Sequence, residues 1–250
     1  MPAGSYMRTI QDRGSLVAGT SQDQLLFGSR NSFTGQIEGF DVDVLREVAK
    51  AIFGDPSLLQ LKPVTSAERI PKLQDGSVDI VARTMTINCA RRQQVDFSSV
   101  YFQAGQRVLV RTDSTATGIQ DLGGRKVCVV QGTTSLDNVA SAPSHPIVYP
   151  VANQSDCLAA FQGGDVEAIS DDDTVLAGLA VQDPYAKIVG PPFTAEPYGL
   201  GLGQGHPEFV RFVNGVLERM RTDGTWKALY AKWLSRLGPA GEPPKATYRN

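Results

Sequence analysis

The sequence is short of the residues on which most catalytic signatures depend. It has two histidines in 250 residues, His145 and His206, each followed by proline and neither beside a nucleophile motif. Gly-x-Ser-x-Gly, His-Glu-x-x-His, Cys-x-x-Cys and the common glycine-rich phosphate loops are missing. Acyl transfer, zinc hydrolysis, dithiol chemistry and nucleotide binding therefore lose their usual markers, and no catalytic residue, metal site or cofactor is expected. Basic excess is missing too: 24 Lys and Arg face 26 Asp and Glu, a net charge of −2, which argues against nucleic acid and anionic membrane surfaces as partners. No apolar run reaches the ~18 residues of a membrane span. The opening Met-Pro-Ala-Gly-Ser-Tyr-Met lacks the charged-then-apolar pattern of a signal peptide and reads as a replacement for a natural leader. Cysteine is scarce and odd in number: Cys89, Cys128 and Cys157. Cys128 sits in a strand pattern and Cys157 in the first turns of a helix pattern. A bridge between them is feasible, two buried thiols are equally acceptable, and the residues leave both open.

What the chain does have is 41% hydrophobic residues, enough for a real core, arranged in two alternating periodicities. Apolar runs at 16–19, 59–64, 78–82, 107–110, 126–130, 147–151, 168–170 and 198–202 read as strands. Helical patterns lie between them. Leu45, Val48, Ala49 and Ile52 share one face, with Asp41 and Asp43 favouring the helix start. Ser66 caps a short helix running to Leu73, and Gly132-Thr-Thr-Ser135 opens another. Further helices are expected over 156–162, 174–181, 208–221 and 226–234. This alternation predicts an α/β fold with mixed, parallel-rich sheets. It restarts after Gly105, and a proline-rich segment precedes the last strand. Together these predict two lobes: lobe 1 from 8–103 and 198–236, and lobe 2 inserted as 104–197. Hinge crossovers are expected near 101–105 and 194–198, with a flexible tail over 237–250.

The run Thr84-Met-Thr-Ile-Asn-Cys-Ala-Arg91 concentrates the binding chemistry. Hydroxyls at i and i+2 of a strand end share a face, and Arg91 follows in a short turn or helix from which it can fold back over them. A guanidinium fork beside hydroxyls and free N–H groups suits a carboxylate; the same residues also make an ordinary surface pair. Gly132-Thr133-Thr134-Ser135 offers N–H groups to an anion, or is simply a helix start. Asp171-Asp172-Asp173 places three carboxylates at the C-terminal end of a strand, where open α/β sheets collect ligands. Capping the next helix needs only one of them. A buried carboxylate there would hold an ammonium as Arg91 would hold a carboxylate, and together they describe a zwitterion.

The order and spacing of several motifs carry a resemblance. These are Gly39-Phe-Asp-Val-Asp43, Leu73-Gln-Asp-Gly-Ser-Val-Asp79, Thr84-Met-Thr-Ile, Arg91-Arg-Gln-Gln-Val-Asp-Phe-Ser98, Asp121-Leu-Gly-Gly-Arg-Lys-Val127, Gln131-Gly-Thr-Thr-Ser135, Tyr198-Gly and Arg221-Thr-Asp-Gly-Thr-Trp226. Over nearly all of 14–234 the chain resembles the type II, family 3 solute-binding proteins of polar-amino-acid ABC importers, and among them the actinobacterial glutamine/glutamate-binding lipoproteins. The resemblance implies a two-lobed periplasmic-binding-protein fold and a monomer outside the cytoplasm, anchored to the membrane as a lipoprotein. It implies a small amino-acid ligand and a membrane permease as partner, with a membrane sensor protein as the alternative. It also implies a Cys128–Cys157 disulfide, leaving Cys89 free beside the site. An enzyme on this fold, as among related dehydratases and peptidoglycan lyases, would need an acid or base in the cleft, and both histidines are expected outside it.

Carried onto this sequence, the family's α-carboxylate clamp falls on Arg91, Thr86 and Thr134. The α-ammonium position falls on Asp172, with the carbonyl of Thr84. Ser66 and Arg69, one helical turn apart, fall at the ligand's side-chain end, and Gln154 reaches the same end. Where acidic-ligand members carry another arginine after the first strand, this chain has Ser21. With one distal arginine, glutamate and aspartate are expected ahead of asparagine and glutamine.

Overall fold

The two periodicities separate into two five-stranded sheets in the computed structural model, which describes residues 4–246. In the first sheet, Leu16–Thr20 lies parallel between Leu59–Pro63 and Ile80–Val81, and Gly201–Leu202 runs antiparallel between Ile80–Val81 and Asp96–Phe97. In the second, Lys126–Val130 lies parallel between Ile147–Val151 and Ala168–Asp172. Gln106–Arg111 runs antiparallel between Ala168–Asp172 and Ala186–Val189. A two-strand ribbon, Phe102–Ala104 against Glu196–Tyr198, connects the two halves. A small sheet of Asp23–Gln24, Gly28–Arg30 and Ile37–Glu38 accompanies the first.

Each sheet has its own core. Helix Phe40–Phe53 buries Phe40, Val44, Leu45, Val48 and Ile52 in the first, and Gly54 in the left-handed region ends it. Its preceding residue, Gly39, has φ 144°, and a Cβ there would lie 2.3 Å from the Phe27 carbonyl, so only glycine fits. Helices Pro207–Thr222 and Thr225–Trp233 complete this core, with proline preorganised at the first helical position. Phe27, Phe40, Tyr101, Phe102, Tyr198, Trp226 and Tyr230 form an aromatic cluster under the ribbon, and the Trp226 indole N–H donates to the Tyr101 carbonyl at 2.7 Å. The second sheet packs against Gln154–Gly163 and Asp173–Gln182.

Cys128 and Cys157 form a disulfide with Cα atoms 5.6 Å apart, tying the middle of strand Lys126–Val130 to helix Gln154–Gly163. Closing a loop with a sequence separation of 29 stabilises by up to about 3.6 kcal/mol in the chain-entropy account. A Cys128→Ser/Cys157→Ser variant is therefore expected to unfold about 5–10 °C lower in a calorimetric scan. An unchanged Tm would mean the bridge constrains nothing. Cys89 is free and exposed.

Several local expectations change. The strand expected at 78–82 narrows to Ile80–Val81, so Thr84 and Thr86 lie beyond it. Thr84 has φ 40°, rare for a β-branched residue, which breaks the pleat that an i, i+2 relation assumes, while Thr86 forms an isolated bridge with Tyr198. Ser66 does not cap the next helix, which begins at Arg69 after a turn closed by Glu68 on Thr65. Asp41 and Asp43 do more than favour a helix dipole, because both are buried. Asp41 accepts from the Thr84 N–H and the Tyr101 hydroxyl at 2.9 and 2.7 Å. Asp43 pairs with Arg46 and Lys232. Tyr6 and Met7 of the opening segment lie in helix Tyr6–Arg13, with the Tyr6 hydroxyl on Asp79. Within the expected tail, Leu237 ends a short 3-10 turn. Glu242 pairs with Lys227, and the Pro244 carbonyl accepts from Arg221 at 2.9 Å. Residues 247–250 of that tail, and 1–3 of the opening segment, lie outside the described residues.

Candidate ligand-binding site

Chain leaving the carboxyl ends of strands in both sheets converges on one cavity. Ser66, Arg69, Thr84, Thr86 and Arg91 line it from the first half, and Thr134, Gln154 and Asp172 from the second. All eight residues expected at the site therefore meet there. Thr133, Ser135 and Asp171 join them. Only about 10 Å³ of free space remains between the side chains, so anything larger than a water enters only when the halves or their side chains part.

Arg91 sits in the short helix Cys89–Arg92, held by its N–H on Asn88 Oδ1 at 2.8 Å. Its guanidinium donates to the Thr86 carbonyl at 2.7 Å and to the Gly132 carbonyl of the other half at 3.0 Å. Arg69 donates to the same Gly132 oxygen at 2.8 Å and to the Ser66 carbonyl at 2.9 Å. Gly132 has φ 76°, and a Cβ there would lie 2.6 Å from the Ala67 backbone, so the two halves approach this closely only at glycine. The Thr86 and Thr134 hydroxyls, one from each half, both donate to Glu196 Oε2 at 2.7 and 2.8 Å.

Asp172 is buried at the end of its strand. The Tyr198 hydroxyl donates to Oδ2 at 2.6 Å, whereas Oδ1 is buried with no hydrogen-bond partner among the described residues. Burial, reinforced by Asp171 and Glu196, pushes its carboxyl well above the usual range. Such an oxygen is costly unless something meets it. Burial also pushes Asp171 up to about 6, against the pull of hydrogen bonds and of Arg83 and Arg69. The Arg69 guanidinium is drawn well down by burial and then by Arg91 and Arg83.

Sequence reasoning missed three residues here. Arg83 is buried, donates to the Val64 carbonyl at 2.7 Å, to the Ser66 hydroxyl, and to Gln154 Oε1 across the cleft at 3.1 Å. The available signal was a charge following the apolar run Ile80-Val-Ala82, which burial tolerates only with partners. Glu196, in the proline-rich segment, collects hydroxyls from both halves. Asp23 accepts from the N–H and hydroxyl of Ser155 at 3.1 and 3.3 Å across the cleft. His145 and His206 do not line the cavity; His206 stacks on Tyr6 at 4.0 Å. Among the described residues no cluster of His, Cys, Asp and Glu is arranged to hold a metal, and no helix is long and apolar enough to cross a membrane.

Two mixed sheets joined by a ribbon, with a charged cavity between their carboxyl ends, define a cleft-type binding protein. Residues 16–236 match the bacterial extracellular solute-binding proteins, family 3, and the chain belongs to that family, one of binding proteins and not of enzymes. It is 38% identical over 229 residues to the ABC transporter glutamine-binding protein GlnH of Bacillus subtilis (strain 168), covering 91% of this chain and 84% of that one. It is 33% identical over 235 residues to the glutamate-binding protein GluB of Corynebacterium glutamicum, covering 89% and 79%. These relatives do not single out the actinobacterial branch. Among solved structures, an ancestral arginine-binding protein bound to glutamine matches with TM-score 0.83 and 36% identity over 89% of this chain and 98% of that one.

Proposed function

We propose that this chain captures a polar α-amino acid outside the cytoplasm by closing two lobes on it, and delivers it to an ABC permease. The observation that carries this reading is the pairing of opposite charges in one cavity: buried Arg91 on one side and the unpartnered Oδ1 of Asp172 on the other. Arg91, Thr86 and Thr134 take the α-carboxylate; Asp172 and the Thr84 carbonyl take the α-ammonium; Ser66, Arg69 and Gln154 face the side chain. Lobe 1 supplies Ser66, Arg69, Thr84, Thr86 and Arg91, and the inserted lobe 2 supplies the rest. A molecule touching both lobes binds the closed form better and shifts the population toward it. The Phe102–Ala104 and Glu196–Tyr198 ribbon is the hinge in this reading. GlnH is named for ABC transport, which favours a permease over a sensor as the partner.

Isothermal titration of the purified chain with glutamine, glutamate, asparagine and aspartate tests the reading. One-to-one binding of at least one is expected, and no heat from any of the four would overturn it. In the same assay Arg69→Ala should change the ranking, losing the acidic ligands at least tenfold more than the amides. Equal loss across all four would move Arg69 away from the side-chain end.

A further inference from the structure

One carboxylate in the cavity is not used by the clamp on the amino acid's α-groups. Asp171 is 5% exposed and lines the cavity. One of its oxygens accepts from the Asp172 N–H at 2.8 Å, while the other has, among the described residues, only Gln154 Nε2, at 3.5 Å. Arg69 and Arg83 face it from the other half, Asp172 stands beside it, and Arg107 lies opposite on the neighbouring strand.

Charge at this end is already matched. Arg83 has Asp23 at 3.9 Å, and Asp171 lies between Arg83 and Arg69 and offsets both. Two arginines and two carboxylates leave no surplus positive charge for a side-chain carboxylate. Hydrogen-bond polarity points the same way. Arg83 donates to both the Ser66 hydroxyl oxygen and Gln154 Oε1, so the Ser66 proton and the Gln154 amide N–H groups are turned to other acceptors. The set is several donors and one strong acceptor, Asp171. A primary amide, with a carbonyl to accept and an NH₂ to donate, matches it; a carboxylate does not.

We propose that Asp171 reads a side-chain amide, so that the site selects glutamine over glutamate at neutral pH. This rests on the reading of the chain as a polar-amino-acid binder and reverses the order expected from a single distal arginine. A glutamate side chain would face Asp171, and two carboxylates sharing one buried site hold a proton between them. With its carboxyl already pushed up to about 6, Asp171 is the group that takes it. Glutamate binding then takes up a proton, and glutamine binding does not.

The test is calorimetry of the purified chain with glutamine and with glutamate from pH 5.5 to 8.5. At pH 7.5 glutamine should bind at least tenfold tighter. Glutamate affinity should rise about tenfold per unit as pH falls toward 6, as uptake of one proton requires, while glutamine affinity stays nearly flat. Asp171→Asn should weaken glutamine about tenfold, strengthen glutamate about tenfold and abolish the glutamate pH slope. A wild type that prefers glutamate at pH 7.5, or a variant that shifts both equally, would overturn the proposal. If Asp171→Asn does not fold, the wild-type slopes decide, and equal slopes overturn it. Silence of the wild type toward both amino acids, and toward asparagine and aspartate, is a different failure, that of the amino-acid reading itself.

Discussion

Arg91→Ala is expected to lower affinity for the preferred amino acid at least a hundredfold while leaving the ligand-free fold nearly as stable. The guanidinium is positioned from its own half before anything binds: Asn88 fixes the start of its short helix, and the Thr86 carbonyl holds one arm of its fork. A carboxylate arriving there gains charge-assisted, bidentate bonds without ordering the side chain first. Removing one member of a buried ion pair costs about 3–5 kcal/mol, and each 1.4 kcal/mol is about tenfold in Kd. The ligand-free protein loses two hydrogen bonds but also a buried charge, so its Tm should move little. Arg91→Lys keeps the charge and loses the fork, and should fall between. All four test amino acids share the α-carboxylate, so the loss should be equal across them, unlike the ranking changes expected of Arg69→Ala and Asp171→Asn. Binding within tenfold of wild type would remove Arg91 from the carboxylate position.

What could be read from the sequence was what local pattern encodes. Strand Lys126–Val130 and helix Phe40–Phe53 announce themselves through periodicity and glycine punctuation within a few residues. The cavity residues came through because motif order carries a register that no single residue does. Arg83 and Glu196 escaped because their meaning lies in partners far along the chain: Gln154 is 71 positions from Arg83, and Glu196 is 110 from Thr86. Asp41 was visible as a helix-start acid, but nothing local says that the Thr84 N–H and Tyr101 hydroxyl will close over it. Two-residue strands such as Asp96–Phe97 are too short to show a period. The left-handed conformation of Thr84 contradicts its own propensity, and such conflicts are held in place by tertiary contacts, here the Asp41 and Gln24 hydrogen bonds.

Asp172→Asn should show two effects of opposite sign: loss of binding by at least a hundredfold, and a ligand-free protein that is more heat-stable at pH 7. Without a ligand, Asp172 Oδ1 has no partner among the described residues, and burial, Asp171 and Glu196 all oppose its ionisation. The folded chain therefore keeps this proton to higher pH than the unfolded chain, where a carboxyl titrates near about 3.9. Between those two values the folded state binds more protons, so stability falls as pH rises, and above the folded value the whole penalty is present. Asparagine never ionises, and its carbonyl can still accept from the Tyr198 hydroxyl. The Tm advantage of the variant should be present at pH 7 and vanish near pH 3, each kcal/mol recovered appearing as about 2–4 °C. A bound ammonium reverses the balance, because it supplies the partner that Oδ1 lacks and favours the ionised carboxyl. The preferred amino acid at about tenfold the wild-type Kd should raise the wild-type Tm and move that of the variant very little. A variant less stable than wild type at both pH values would instead make Asp172 a structural partner of Tyr198, and the ammonium site would have to lie elsewhere.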